Sequence, residues 1–195
     1  MPRQRDERID DSVLTAVSAL MREVGYAGLT MEAIATRAGT TKPAVRRRWQ
    51  TRQQLVLAAM ARDQVGLVEL DTGCLHCDLI GQLEALRIGM EDPAMYRVVP
   101  GLLADLVDDP VLRQDFLDTV WEPRRASCVI ALRNAEQRGE IKFDDVDLVL
   151  DLFVAPVVFR ALFRHAPSGP DLSERVALAV LAGIGNPGPY RCGQG

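Results

Sequence analysis

Apolar residues recur along this chain with a helical period almost throughout. Ile9, Val13, Val17, Leu20, Met21 and Val24 fall at i, i+4, i+8, i+11, i+12 and i+15, one stripe on a first helix that Gly25 can end. A short second helix is predicted after Thr30, whose hydroxyl suits the N-cap, with Glu32 in its first turn, and it stops at Ala38-Gly39. After Thr40-Thr41 comes a third, about Lys42 to Trp49, and a fourth begins near Arg52 and runs past Met60. Further on, Leu79, Leu83, Leu86 and Met90 share a face before Asp92-Pro93, and an apolar segment covers Val98 to Val107. Asp109-Pro110 reads as N-cap and N1 of a long helix to Arg138-Gly139. Pro123 lies inside that helix and should bend or interrupt it, because proline removes a backbone donor and crowds the preceding turn. Two more helices follow, about Asp144 to Arg164 and Asp171 to Ala182, parted by the breakers of 165–170. No sustained β-alternation occurs, so the predicted fold class is all-α with about nine helices.

Composition adds one distinction. The net charge of −4 hides two surfaces: residues 1–52 carry ten basic against six acidic residues, the remainder thirteen against twenty-one. From Arg37 to Arg52 there are six basic residues and no acidic one. The overlapping stretch MEAIATRAGTTKPAVRRRWQ, from Met31 to Gln50, has the spacing of a helix-turn-helix. Counting Met31 as position 1, the small Ala35 is at 5, Gly39 at 9 and branched Val45 at 15, with Ile34 and Ala38 facing inward. The motif needs a small residue where its helices touch, a turn residue tolerant of left-handed backbone, and an apolar anchor on the second helix. The second helix then reads the DNA major groove. Thr30, Thr40 and Thr41 suit phosphate oxygens, and Lys42, Arg46, Arg47 and Arg48 belong to the reading helix, where Arg46 and Arg47 can grip guanine edges. Pro43 fits the helix's first turn, and Arg52 is expected to clamp the DNA backbone. Trp49 is read as an anchor packed on the first helix.

The stretch GYAGLTMEAIATRAGTTKPAVRRRWQTRQQLV resembles the N-terminal domain of TetR-type transcriptional regulators, through Gly25-Tyr26, Thr30, Ile34-Ala35, Ala38-Gly39, Trp49, Thr51-Arg52 and Leu55. Pro43, Arg46 and Trp49 stand where glycine, tyrosine and phenylalanine are common in that family, which puts in question which bases are read. Asp71-Thr72-Gly73-Cys74-Leu75-His76-Cys77-Asp78-Leu79, Pro123-Arg124-Arg125 and Arg138-Gly139-Glu140 are similar to one subgroup of the family's ligand-binding domains. The expected organisation is a DNA-binding domain at 1–52, a connecting helix at 53–70, a ligand-binding and dimerisation domain at 71–184 and a tail at 185–195. The resemblance implies a regulator, a repressor by default, released from a pseudo-palindromic double-stranded operator by a small-molecule effector.

The helix from Asp144 is apolar on more than one face, which predicts a partner. Phe153, Pro156, Val157, Phe159, Arg160, Phe163, Leu172, Val176, Val180 and Leu181 are the expected homodimer interface. Candidate pocket residues, chosen as larger or softer apolar side chains, are Met60, Leu67, Leu83, Leu86, Met90, Leu102, Leu103, Leu106, Phe116, Val120 and Trp121. Cys74, His76 and Cys77 offer three potential zinc ligands in four residues, but a structural site wants a second pair, and Cys128, Cys192 and His165 are single. No metal or cofactor is therefore expected, and a thiol- or metal-responsive regulator, or one without an effector, stays as an alternative. Two histidines, no nucleophile elbow and no glycine-rich phosphate loop argue against an enzyme. A leader is not expected at the N-terminus. The most apolar stretch, Val146 to Phe163, is broken by Asp147, Asp151, Pro156 and Arg160, so no membrane association and a cytoplasmic location with reduced cysteines are expected.

Overall fold

The computed structural model describes residues 3–63 and 72–184, with side chains from residue 8 onward. Leu67 and the rest of 64–70, Asp71, and the predicted tail 185–195 with Cys192 lie outside the described residues. In chain order the helices are α1 (Arg3–Gly28), α2 (Met31–Arg37), α3 (Lys42–Arg46), α4 (Arg52–Arg62), α5 (Leu75–Glu91), α6 (Pro93–Asp108), α7 (Pro110–Phe116), a π turn (Leu117–Trp121), α8 (Glu122–Gln137), α9 (Val146–Phe163) and α10 (Asp171–Ile184). No strand occurs among the described residues, and the all-α expectation holds. The predicted long helix is α7, the π turn and α8 in succession, so counting 110–137 as one element leaves nine helices among the described residues. Pro123 explains the interruption: it sits in the first turn of α8, where the missing N–H is tolerated, and the wider π turn directly precedes it.

The chain forms two compact units that do not follow sequence order: Met1–Gln64 with Asp92–Trp121, and Val65–Glu91 with Glu122–Gly195. In the first unit the predicted stripe of α1 buries Val13, Val17, Leu20 and Met21 with Leu55, Val56 and Ala59 of α4 and Val98 and Leu102 of α6. Val24, assigned to that stripe, is exposed, because Gly25 (φ 67°) kinks α1 before a last turn to Gly28. That kink is held by α6. Arg97 donates to the Arg22 and Glu23 carbonyls at 3.0 and 3.4 Å, capping groups that the kink leaves without helical donors. Beyond it Tyr26 is buried, its hydroxyl donating to Asp105 at 2.5 Å while Gln53 of α4 donates to the same carboxylate oxygen at 2.8 Å.

The second unit packs α5 against α9 and α10, with α8 alongside. Leu75, Leu79 and Leu83 meet Leu150, Phe153 and Val157 of α9 and Val176, Ala177 and Leu181 of α10. The Asp-Thr-Gly motif is a helix-start lock. Buried Asp78 accepts from the Thr72 N–H at 3.0 Å and hydroxyl at 2.7 Å, and Gly73 turns the chain with φ 75°. Gly139 (φ 74°) ends α8 in the left-handed conformation that glycine tolerates best, and Arg125 ties α8 to Asp147 of α9 at 2.8 Å.

Candidate DNA-binding interface

Each helix of the N-terminal motif starts on a threonine. Thr30, Thr41 and Thr51 accept from the backbone N–H three residues on, at 3.1, 3.4 and 3.2 Å, supplying the orphan donors of α2, α3 and α4. The turn is built as its spacing requires: Ala35 and Val45 are buried, Gly39 has φ 65°, and the Thr40 N–H returns to the Ala35 carbonyl at 3.0 Å. The third helix is shorter than predicted. It ends at Arg46, and the N–H groups of Arg48 and Trp49 both turn back to the Val45 carbonyl at 3.0 Å. Trp49 is half-buried.

The six basic residues of this segment have distinct occupations. Arg37 makes a bidentate pair with Glu23 at 2.6 and 2.7 Å, an arrangement that holds the Glu23 carboxyl below its usual range through those hydrogen bonds. Lys42 faces Glu32 at 3.4 Å, and Arg48 is paired with Asp10 of α1. Arg52 is not available for the phosphate clamp expected of it. Its guanidinium lies 4.8 Å from the Tyr26 ring centroid and donates to the Tyr26 and Leu29 carbonyls at 3.2 and 3.3 Å, stitching the α1–α2 connection to α4. Arg46 and Arg47 remain, both exposed and neither with a partner among the described residues. Thr41 and Pro43 are exposed beside them. A capping threonine accepts through its oxygen, so Thr30 and Thr41 each keep a hydroxyl proton to donate to an anionic oxygen.

The expected dimer face is only partly accessible. Phe153 is 2% exposed, and Val157, Leu172, Val176, Val180 and Leu181 are likewise buried within their own chain. Phe153, Val157 and Leu181 are withdrawn as surface contacts, because α9 turns one apolar side to α5 and α10, whereas Leu172, Val176 and Val180 of α10 also line the groove between α9 and α10. Phe159 and Phe163 are 53% and 65% exposed, their rings 4.4 Å apart, and Leu148, Leu152 and Leu178 are also exposed. Pro156 and Arg160 are half-buried and line, with Leu148, Leu152, Arg175 and Ala179, a groove of about 730 Å³ between α9 and α10. Helical periodicity could not choose between the faces of α9, since apolar residues surround it.

The predicted pocket residues are not gathered in one unit. Met60, Leu102, Leu106 and Val120 are buried in the first unit, where Phe116 and Trp121 are half-buried and Leu103 is exposed. Leu83 is buried in the core of the second, with Leu86 packed against it and Met90 half-buried. Cys74, Cys77 and Cys128 are thiols, and among the described residues no group of His, Cys, Asp or Glu is placed to hold a metal ion. No helix among the described residues is long and apolar enough to cross a membrane. Sequence reading missed the Tyr26, Gln53 and Asp105 brace, whose partners stand 79 and 52 positions from Asp105 and leave no local signature.

Two family models match the chain. Residues 13–59 match "Bacterial regulatory proteins, tetR family", and residues 69–180 match "Tetracyclin repressor-like, C-terminal domain". An uncharacterized HTH-type transcriptional regulator of Mycobacterium tuberculosis is 30% identical over 177 residues, covering 88% of this chain and 85% of the relative. A DNA-binding transcriptional repressor TetR of Mycobacteroides abscessus is 28% identical over 150 residues, 74% of this chain and 77% of the relative. The crystal structure of a TetR family transcription regulator superposes with a TM-score of 0.77 at 27% identity, covering 90% of this chain and 98% of that one.

Proposed function

The chain belongs to the TetR family of DNA-binding transcriptional regulators, and on that basis we propose that it is a cytoplasmic, homodimeric repressor of a pseudo-palindromic operator. Regulators of this family bind operators as dimers and respond to small molecules. The observation that carries the reading is the pair Arg46 and Arg47, exposed at the end of α3 without partners among the described residues, in a segment whose other basic side chains are engaged. An uncommitted guanidinium pays nothing to leave an ion pair and can meet guanine or phosphate directly. Thr30, Thr40, Thr41, Lys42 and Pro43 complete the proposed surface, with Arg48 holding α3 to α1 through Asp10.

Two reading helices about 34–36 Å apart are needed to enter successive major grooves, which a two-fold dimer supplies. The exposed apolar residues of α9, Phe159 and Phe163 first, supply the proposed interface. An effector releases the operator by binding the DNA-incompetent arrangement better, and a few kcal/mol of differential affinity is enough.

The test is selection of bound sequences from a random DNA pool, followed by binding of the selected duplex. Arg46→Ala and Arg47→Ala should each weaken that binding roughly ten- to hundredfold, the worth of one good bidentate contact, with the dimer mass unchanged. Wild-type affinity in both variants would remove the reading helix from the interface.

A further inference from the structure

Two cysteines, Cys74 and Cys77, stand where α5 begins, at the surface of the second unit. Cys74 directly precedes the helix, and its carbonyl accepts from the Asp78 N–H at 3.0 Å, which closes the first turn on Cys74 and places Cys77 within that turn. Both are thiols, Cys77 exposed and Cys74 half-buried. Such exposure is unusual, since cysteine is among the most buried residue types. Cys128 of α8 is the ordinary case: burial pushes its thiol up to about 11, which keeps it protonated and inert.

The spacing suits a two-electron reaction between the thiols better than a metal, for which no set of side chains among the described residues is placed. Residues three apart on a helix have Cβ atoms about 5–6 Å from one another, and a disulfide needs about 3.5–4.5 Å. A shift of ~1–2 Å closes that gap. The residue before a helix can make it, because no earlier turn holds it: Gly73 has φ 75° and open space where a Cβ would stand. The unpaired N–H groups of a first helical turn also favour the negative charge of an attacking thiolate. In a reducing compartment a disulfide is typically transient and redox-sensing rather than structural.

We infer that Cys74 and Cys77 are a redox site that hydrogen peroxide converts to a reversible disulfide, and that closing the bridge opens the lock at the start of α5. The exposed Cys77 thiolate attacks one peroxide oxygen, the O–O bond breaks, and the other oxygen leaves as hydroxide and takes up the thiol's proton, giving a sulfenic acid and water. The Cys74 thiolate then attacks the Cys77 sulfur, and the S–O bond breaks to release hydroxide, which leaves with the Cys74 proton as a second water. Two thiols lose two electrons in all, and one peroxide gains them. The lock lies on the same residues: the Thr72 hydroxyl oxygen accepts from the Cys74 N–H at 3.3 Å and donates to Asp78, next to Cys77, at 2.7 Å. Drawing Cys74 toward Cys77 pulls Thr72 from Asp78, at the point where the chain enters α5 from the segment that follows α4.

Treating the reduced full-length chain with hydrogen peroxide, then reading peptide masses and hydrogen exchange, tests the assignment. Residues 63–87 form one tryptic peptide that carries Cys74 and Cys77 and no other cysteine. That peptide should lose about 2 Da, two hydrogens, and regain them with dithiothreitol. Amides of 72–78 should exchange roughly fivefold faster in the oxidised chain, the worth of one hydrogen bond. Cys74→Ser and Cys77→Ser should each abolish both changes, and Cys128→Ser should abolish neither. Absence of the mass loss, oxidation that stops at an irreversible sulfinic acid, or a bridge from either thiol to Cys128, Cys192 or a second chain would each overturn the inference. So would exchange at 72–78 that oxidation leaves unchanged.

Discussion

Replacing Gly101 by alanine sets two effects against each other in the middle of α6. In a helix interior alanine is the better former by about 1 kcal/mol, so on propensity alone the change stabilises. The structure reverses the sign. A Cβ at Gly101 falls 2.5 Å from Tyr26 Cδ1 and 3.1 Å from Cγ. Carbon atoms in contact normally sit about 3.5–4.0 Å apart, so the overlap is on the order of 1 Å. The ring cannot swing away freely: it is buried, its hydroxyl is bonded to Asp105 at 2.5 Å, and the Arg52 guanidinium covers it at 4.8 Å. Overpacking of a held side chain costs about 1–3 kcal/mol, so Gly101→Ala should destabilise by up to about 2 kcal/mol net. In a Tyr26→Ala background the obstacle is gone and the same substitution should be neutral or stabilising by up to about 1 kcal/mol. Urea unfolding at fixed protomer concentration gives the four values of the cycle, and hydrogen exchange at α1 and α6 amides locates the change in the first unit. Stabilisation by Gly101→Ala in the wild type, or an equal effect in both backgrounds, would refute the reasoning.

Three further outcomes are expected. The Tyr26 hydroxyl, with Gln53 assisting, holds the Asp105 carboxyl below its ordinary value of 3.8, so the stability it contributes is present above that value and lost as pH falls through the depressed one. Tyr26→Phe should cost about 1.5–3 kcal/mol at neutral pH, with the difference closing as pH falls through the depressed Asp105 value; a pH-independent difference in urea unfolding would refute the link. Arg52→Ala should lower stability and leave the salt dependence of operator binding unchanged; a reduced slope would return that residue to the phosphates. Phe159→Arg should dissociate the dimer in light scattering with its circular dichroism retained, while Phe153→Arg should unfold the chain, because the first is 53% exposed and the second 2%. An unchanged mass for Phe159→Arg would remove the outer face of α9 from the interface.

The helix-turn-helix was legible because every constraint on it lies within a short stretch. The Thr30 cap, a glycine at positive φ and a buried valine each act on neighbours a few residues away, and their types and spacing say so, whereas the caps at Thr41 and Thr51 emerge only in the structure. Pro123 likewise announced an interruption, although only the structure shows it as a π turn. The long-range pairings were not legible. Six basic residues look equivalent in the sequence, yet Arg48 meets Asp10 and Arg52 meets two carbonyls of the α1–α2 connection, leaving Arg46 and Arg47.

Local chemistry thus determined the helices, their breakers, the location of the helix-turn-helix and the family resemblance, because backbone propensity and capping act over a turn or two. Tertiary structure alone decided which arginines are spent on the fold, which side of the all-round apolar α9 is buried, and that residues 92–121 join the N-terminal helices in one compact unit. Those outcomes depend on which surfaces meet, and a contact such as that of Tyr26 with Asp105 and Gly101 comes into existence only when segments distant in the chain are brought together.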